Sequence, residues 1–404
     1  MKRTRIAIIA TLVTLAALCL TGCTTFDNFK EAFIDKPQDK NATIEIGVFE
    51  PFSGSDKDSA ADEIKGIELA HEQFPTVNGK IINLIEADNA SNVDAATTAI
   101  QTLIAKEPKV ILGSNSSILS LAAGDYIQDA KIPTIAITNT NPLVTRNYSY
   151  YYRVCYVDSN QGDLMAQYVL RQGNEKAAGV MVPKGDDAAL AMATAFTDRL
   201  KAETGNEDII AVYSHYEAGA SDYSKQLTAI RQSGAKCIFI TGNNTDAANI
   251  INQAGVMGLD VRFLGDMTWG EKAFRKLLFS GAEENIDFVR FFAADAEANN
   301  KAVSEQRQKF LDAYANKYGE GEPSDAVALG YDAYVVAVDT IDKAPDDATG
   351  EQIREILADG QYTFEGASGT INFSTFGDPI KVAYICTWKG NRVTTVDTVD
   401  PLSE

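Results

Sequence analysis

The stretch running from Val110 to Thr145, VILGSNSSILSLAAGDYIQDAKIPTIAITNTNPLVT, constrains the fold more than any other part of the chain. An apolar run at 110–112 ends at Gly113 in the polar loop Ser114-Asn115-Ser116-Ser117. A periodic segment then reaches Ala130, and a second apolar run at 132–137 ends in Thr138-Asn139-Thr140-Asn141-Pro142. That order predicts strand, loop, helix, strand, loop. In an open parallel sheet both loops emerge at the carboxyl ends of their strands, where such sheets bind ligands. Ser116 or Ser117 opens the helix, where free N–H groups and the helix dipole favour an anion. These loops hold hydroxyls and amides but no acid, base or nucleophile. They read as a grip on a small carboxylate, and the plainer alternative is that Ser, Thr and Asn here only cap helices and turns.

The same rhythm runs along the chain. Apolar runs at 44–49, 80–87, 110–112 and 132–137 alternate with helical segments at 57–74, 93–106 and 117–130. It restarts with strands at 176–182, 209–214, 235–241 and 262–264 and helices at 162–171, 188–201, 223–234 and 246–257. This is an α/β chain of two doubly wound parallel-sheet lobes. Helices follow at 303–318, 326–341 and 352–357, then strands at 369–373 and 380–388. With no Gly/Ser-rich or Pro-rich linker, the lobes should share several crossings, expected near 153–159, 284–288 and 374–378. The boundaries read as 43–155 plus 287–373 for lobe 1, and 156–286 plus 374–400 for lobe 2.

Lys2, Arg3 and Arg5 precede an apolar run at 6–20 and then Leu20-Thr21-Gly22-Cys23. This is the pattern of a secretory signal peptide over 1–22. It is too short for a membrane span of about 20 residues, and its end resembles the lipobox of bacterial lipoproteins. That resemblance implies cleavage before Cys23 and lipidation of its thiol, with residues 23–42 as a tether on the outer face of the membrane. Losing the signal moves the formal net charge from -20 to -23. So acidic a surface argues against nucleic acid as a partner. Of the remaining cysteines, Cys237 and Cys386 lie inside apolar runs, three thiols cannot all pair, and a disulfide framework is not expected. His71 and His215 fall in different lobes and read as surface residues, which argues against a zinc site or a His-based triad. No metal or cofactor is called for. The tyrosines at 148 and 150–152 read as hinge and core packing.

The chain resembles the Leu/Ile/Val-binding proteins of ABC transporters, the branched-chain amino-acid branch of the type I periplasmic binding proteins. The resemblance rests on Ile46-Gly47-Val48…Pro51-Phe52-Ser53-Gly54, Gly66-Ile67-Glu68-Leu69-Ala70, Gly113…Ser116-Ser117 and Thr140-Asn141-Pro142-Leu143. It continues through Arg153…Asp158…Gln161-Gly162, Tyr331-Asp332-Ala333 and Phe364-Glu365-Gly366…Gly369…Gly377-Asp378, in order over nearly all of 43–399. It implies a monomeric two-lobed clamp that closes through a three-stranded hinge, with an amino acid or similar carboxylate as ligand and an ABC permease and its ATPase as partners. The carboxylate-holding roles fall on Ser116, with Ser117 next, and on Thr140, with the backbone of Thr138 beside it.

The second half departs from that pattern. Ser59 stands where the resemblance places an aromatic residue. Asp186 or Asp187 takes the place of a tyrosine at the head of a second-lobe helix, and Asn243-Asn244 that of another aromatic. Asp266 is the carboxylate nearest the position that pairs with a ligand ammonium, and Trp269 beyond it reads as a ligand wall competing with interlobe packing. Asp186 and Asp187 read equally well as helix caps. A more polar ligand is expected, and no enzymatic activity. Two rival readings are a receptor module feeding a signalling partner and an exported hydrolase, against which the missing catalytic constellation argues.

Overall fold

A computed structural model describes residues 43–173, 178–295, 304–319 and 321–400. The signal peptide, Cys23 and the tether, called for residues 1–42, lie outside them. The first sheet contains β1 (Thr43–Glu50), β2 (Thr76–Val77), β3 (Lys80–Asp88), β4 (Val110–Gly113), β5 (Thr134–Ala136) and β6 (Tyr151–Arg153), in the order β2-β3-β1-β4-β5-β6. All neighbours are parallel except the short β2–β3 pair. The intervening helices are α1 (Lys57–Gln73), α2 (Val93–Ile104), α3 (Ser117–Ala130) and the single turn α4 (Leu143–Arg146).

Side chains alternate across this sheet, and both faces are apolar, as a covered parallel sheet requires. Ile46, Val48, Leu112 and Ile135 join the core that includes Ile67 and Ala70 of α1. Phe49, Ile111 and Ala136 join a second core with Ile100 of α2 and Ile127 of α3. Because β1 leads to β3 on one side and β3 then crosses to β4 on the other, strand order reverses between β1 and β4. The loops after these two strands flank the crevice where an open α/β sheet takes its ligand.

The second sheet repeats the plan. It holds β7 (Ala178–Pro183), β8 (Ile210–Tyr216), β9 (Cys237–Ile240), β10 (Arg262–Gly265) and β11 (Ile286–Arg290), closed by a C-terminal hairpin. Its helices are α5 (Asp158–Arg171), α6 (Asp187–Thr204), α7 (Ser224–Ser233), α8 (Asn244–Val256) and the short α9 (Lys272–Leu277). Then come α10 (Glu305–Tyr318), α11 (Asp325–Lys343) and α12 (Gly350–Ala358), a small sheet of β12 (Phe364–Gly366), β13 (Gly369–Phe373) and β14 (Pro379–Ile380), and the hairpin β15 (Ala383–Lys389) and β16 (Arg392–Val399). The order β16-β15-β11-β10-β9-β7-β8 reverses between β7 and β9.

The chain passes between the sheets at 154–157, 291–294 and 381–382, and two of these differ from expectation. Residues 286–290 pair with β10 and β15, so the run IDFVR is a central strand of the second sheet and the passage begins only at 291, not at 287. Residues 374–378 form the turn of the β13–β14 hairpin, so the chain leaves the small sheet at 381–382. The apolar run expected as one strand over 380–388 is accordingly broken there. Cys155, Cys237 and Cys386 are buried free thiols. His71, expected at the surface, is half-buried and hydrogen-bonds through Nδ1 to the Tyr334 hydroxyl at 2.9 Å. Tyr150, Tyr151 and Tyr152 are buried packing residues.

Candidate functional site

The site is built from the loop after β4. Gly113 has φ +106, and a Cβ there would collide with the Phe49 carbonyl and the Glu50 carboxyl, so only glycine lets the chain turn so close to the end of β1. Asn115 N–H donates to Glu50 Oε2 at 2.9 Å, and its side-chain amide donates to Ser59 Oγ at 3.0 Å. Ser116 occupies the N-cap position of α3, but its hydroxyl makes no capping bond. The Ser117 hydroxyl accepts from the backbone N–H of Asn141 at 3.4 Å, tying the loops after β4 and β5 together. Ser59, Asn115, Ser116, Ser117 and Asn141 therefore form one polar patch at the tips of β1, β4 and β5, above the unsatisfied N–H groups of α3.

The two threonines differ from each other. Thr138 spends its hydroxyl on Glu63 of α1, leaving only its backbone for a solute. Thr140 accepts the Asp158 N–H on its carbonyl at 3.1 Å, and its hydroxyl lies where it stabilises the Asp158 charge. Asp158 begins α5, so this contact spans the first crossing. Burial raises the Asp158 pKa, the Thr140 bond and Arg153 pull it back, and Asp186 raises it again. Asp266 is also raised, first by burial, with the Thr268 bonds lowering it and Asp158 raising it. Asp158 thus lies within reach of the charge of Asp186, and its own charge reaches Asp266. The tips of the second sheet bring acidic groups to the place where the first sheet presents hydroxyls.

Several second-sheet candidates have other duties. Asp186 caps α6, its Oδ1 accepting from Ala189 N–H at 2.9 Å. Asn243 caps α8, accepting from Asp246 N–H at 2.9 Å and donating to Asp246 Oδ2 at 2.8 Å. The capping alternative is thus realised at Asp186, and Asn243, expected at the ligand, caps a helix as well. Asp266 accepts the Thr268 N–H at 2.9 Å and its hydroxyl as well, capping a one-turn helix. Trp269 is not a ligand wall. It is 1% exposed, stacks on Phe274 with ring centroids 4.9 Å apart, and its carbonyl accepts from Trp388 Nε1 at 2.9 Å. An indole on the apolar side of a one-turn helix is drawn into the core between β10 and β11, a choice that residue spacing alone leaves open. Met267 takes the nearer place, half-buried, with its N–H donating to Gln161 Oε1 of α5 at 3.0 Å. A hollow of about 300 Å³ beside β7 is lined by Lys184, Asp186, Leu190 and His215, among others, but by none of the first-sheet hydroxyls.

Residues that spacing did not single out sit directly behind the patch. Glu50 and Glu63 are fully buried beside each other, and both are raised in pKa chiefly by burial, with the Glu63 charge adding to the rise at Glu50. The signal for Glu63 was present: it lies on the buried stripe Ala60, Glu63, Gly66, Ile67, Ala70 of α1, where an acid is out of place.

Residues 43–392 match the family described as periplasmic binding protein. The chain belongs to that family. Within it, the chain has the type I architecture of two parallel-sheet lobes. A Pseudomonas aeruginosa protein named as amino acid binding is 27% identical over 230 residues, 56% of this chain and 60% of that protein, so this chain spans less than two thirds of it. A leucine-, isoleucine-, valine-, threonine- and alanine-binding protein of the same organism is 24% identical over 83% of this chain and 87% of its own length. The crystal structure of the branched-chain amino-acid transporter substrate-binding protein of Streptococcus pneumoniae, in complex with isoleucine, superposes with a TM-score of 0.72 at 28% identity, covering 89% of this chain and 100% of that one.

Proposed function

We propose that this protein captures an amino acid or similar small polar carboxylate between the tips of its two sheets and delivers it to an ABC permease from the outer face of the membrane, anchored through a lipid on Cys23. The observation that carries the reading is the meeting of unlike chemistry at the first crossing: the Ser116 hydroxyl uncommitted to a cap, and Thr140 bonded to an Asp158 that feels the Asp186 charge and acts on Asp266. A carboxylate would lie against Ser116, Ser117, the Thr138 backbone and the first turn of α3, where neutral donors suffice if they are rigidly held. A cationic group would lie toward Asp158 and Asp266, where each carboxyl gains its charge most readily when a cation arrives. Two positions that would make an apolar pocket on this wall do not: Ser59 is polar and Trp269 is turned inward. That favours a solute more polar than leucine. Closure follows from contacts made to both lobes at once, which stabilise the closed state over the open one, and no bond-breaking step is needed.

Thermal-shift measurement against amino acids, their amides and small carboxylates tests this. A solute at 100 times its Kd should stabilise the protein by about 2.7 kcal/mol. Ser116→Ala and Thr140→Ala should each reduce that shift. Unchanged shifts in both variants would refute the site.

A further inference from the structure

Directly behind the polar patch, Glu50 at the end of β1 and Glu63 on α1 face each other with Glu50 Oε1 and Glu63 Oε2 finding no N–H or O–H partner from the rest of the described protein. Their other oxygens are taken: Glu50 Oε2 accepts Asn115 N–H at 2.9 Å, and Glu63 Oε1 accepts the Thr138 hydroxyl. Glu50 is 0% and Glu63 1% exposed, so neither oxygen turns to water. Two carboxylates so placed would repel at close range without solvent, whereas a carboxyl and a carboxylate satisfy both free oxygens with one proton.

We propose that Glu50 and Glu63 share a single proton and act through it as positioning residues, fixing the loop after β4 by way of Asn115 and the loop after β5 by way of Thr138. The inference rests on the carboxylate-grip reading above. Each carboxyl holds one of the two loops, so the proton between them sets the spacing of Ser116 from the Thr138 backbone. Its loss would drive the two acids apart and also leave a second negative charge behind the place where a solute carboxylate lies. Both effects weaken the grip.

The groups around the pair leave it to titrate on its own. Asp62, next to Glu63 on α1, acts on it as a like charge and is itself paired with Lys65 at 2.7 Å. Tyr151 of β6 senses Glu50 and Cys155 of the first crossing senses Glu63, and burial holds the protons of both far above neutral pH. From α11, the Gly330 backbone packs against the Glu63 backbone. Burial pushes Glu63 up to about 7 and raises Glu50 well above the usual carboxylate range, with the Glu63 charge adding to it. The shared proton is therefore complete well below pH 7 and is lost as pH rises through and beyond it.

The test begins with the solute-free protein. The backbone amide resonance of Asn115 is followed by NMR from pH 5.5 to 9, in the native chain and in Glu50→Gln and Glu63→Gln. Each Gln variant keeps a donor between the two side chains. The expected result is a titration of the Asn115 signal near or above pH 7 that both variants abolish, accompanied by a protonated-carboxyl infrared band in the native chain at pH 6 that either variant removes. An Asn115 signal that does not titrate, or one that titrates equally in both variants, overturns the proposal, as does absence of that band. A second arm uses an equimolar mixture of the twenty L-amino acids as the thermal-shift probe. Affinity for the active component should fall with pH above the midpoint, approaching about tenfold per pH unit, and should be flat in Glu63→Gln. A pH-independent native affinity would overturn the coupling to capture. A titrating Asn115 with no stabilisation by the mixture at any pH would instead leave the shared proton standing and refute the amino-acid reading.

Discussion

Ser116, Thr138 and Thr140 surround the same gap, but their hydroxyls already hold different things, and that decides what each can offer a solute. Thr138 is committed to Glu63, so Thr138→Val should weaken capture only by loosening the loop, whereas Ser116→Ala removes an uncommitted hydroxyl donor from the place where the solute carboxylate lies. Isothermal titration with the best solute should show a loss of about 1 to 3 kcal/mol for Ser116→Ala, the range for leaving a buried polar group without its partner. Trp269 gives the opposite case. Its ring sits in the core against Phe274, so Trp269→Ala should cost about 3 to 5 kcal/mol of stability in urea unfolding while leaving the rank order of solutes unchanged. The order of strand and loop after 110 was legible in the chain because apolar runs and polar breaks are local signals. The fate of Trp269 was not, because an aromatic four residues beyond a strand can face a cleft or a core with equal local propensity. The duties of Asp186 and Asn243 were half legible: an acid or amide heading a helix caps it by default, and here the default holds. Glu50 was hidden by its place at the end of an apolar strand, where an acid reads as the start of a loop.

At the scale of elements, helix contact explains motif glycines that turn chemistry does not. On α1, Gly66 lies against the backbone of α11, and a Cβ there would strike the Val327 carbonyl; on α11, Gly330 meets the Glu63 carbonyl in the same way. The two helices touch backbone to backbone, which seats Glu63 deep enough to reach Glu50. Gly162 of α5 repeats the device in the second lobe, against the Met192 carbonyl of α6. Sequence periodicity gave these helices to within a few residues at each end, but it cannot report how near two axes come. Gly66→Ala should therefore destabilise by about 1 to 3 kcal/mol, the usual cost of overpacking. Because the obstructing atoms are backbone, with little freedom to yield, the loss should fall toward the upper end, and chemical denaturation measures it. The same substitution shifts Glu63, so it should also weaken solute binding, which a mere packing defect on the far face of the sheet would not.

For the whole molecule, the question is what holds three crossings in register while two lobes move. Lys381, in the third crossing, is 2% exposed, and its ammonium donates to the Val154 carbonyl of the first crossing at 3.2 Å and to Ser368 Oγ at 2.5 Å. Asp332 of α11 accepts from the backbone N–H groups of Ala367 at 2.6 Å and Ser368 at 3.0 Å and from the Ser368 hydroxyl, and its charge stabilises the Lys381 ammonium against a burial that lowers its pKa to about 8. The second crossing is tied to the same helix, since Phe292 N–H donates to Asp325 Oδ1 at 2.9 Å and Arg290 pairs with Asp325 at 3.1 Å. One helix, α11, thus anchors two crossings, and Lys381 joins the third to the first. Tyr156 and Phe291 pack edge to face between the first and second, 5.4 Å between centroids. Removing one member of a buried charged pair strands the other, at about 3 to 5 kcal/mol. Asp332→Ala should show that loss in urea unfolding. Lys381→Met removes the charge but fills its space, leaving Asp332 with its backbone donors, and should cost less. Its signature should be mechanical: with the first and third crossings no longer tied, small-angle scattering of the solute-free protein should report a larger radius of gyration than the native chain, and saturating solute should bring the two together. If Lys381→Met scatters like the native protein without solute, the tie between crossings does not govern how far the lobes part.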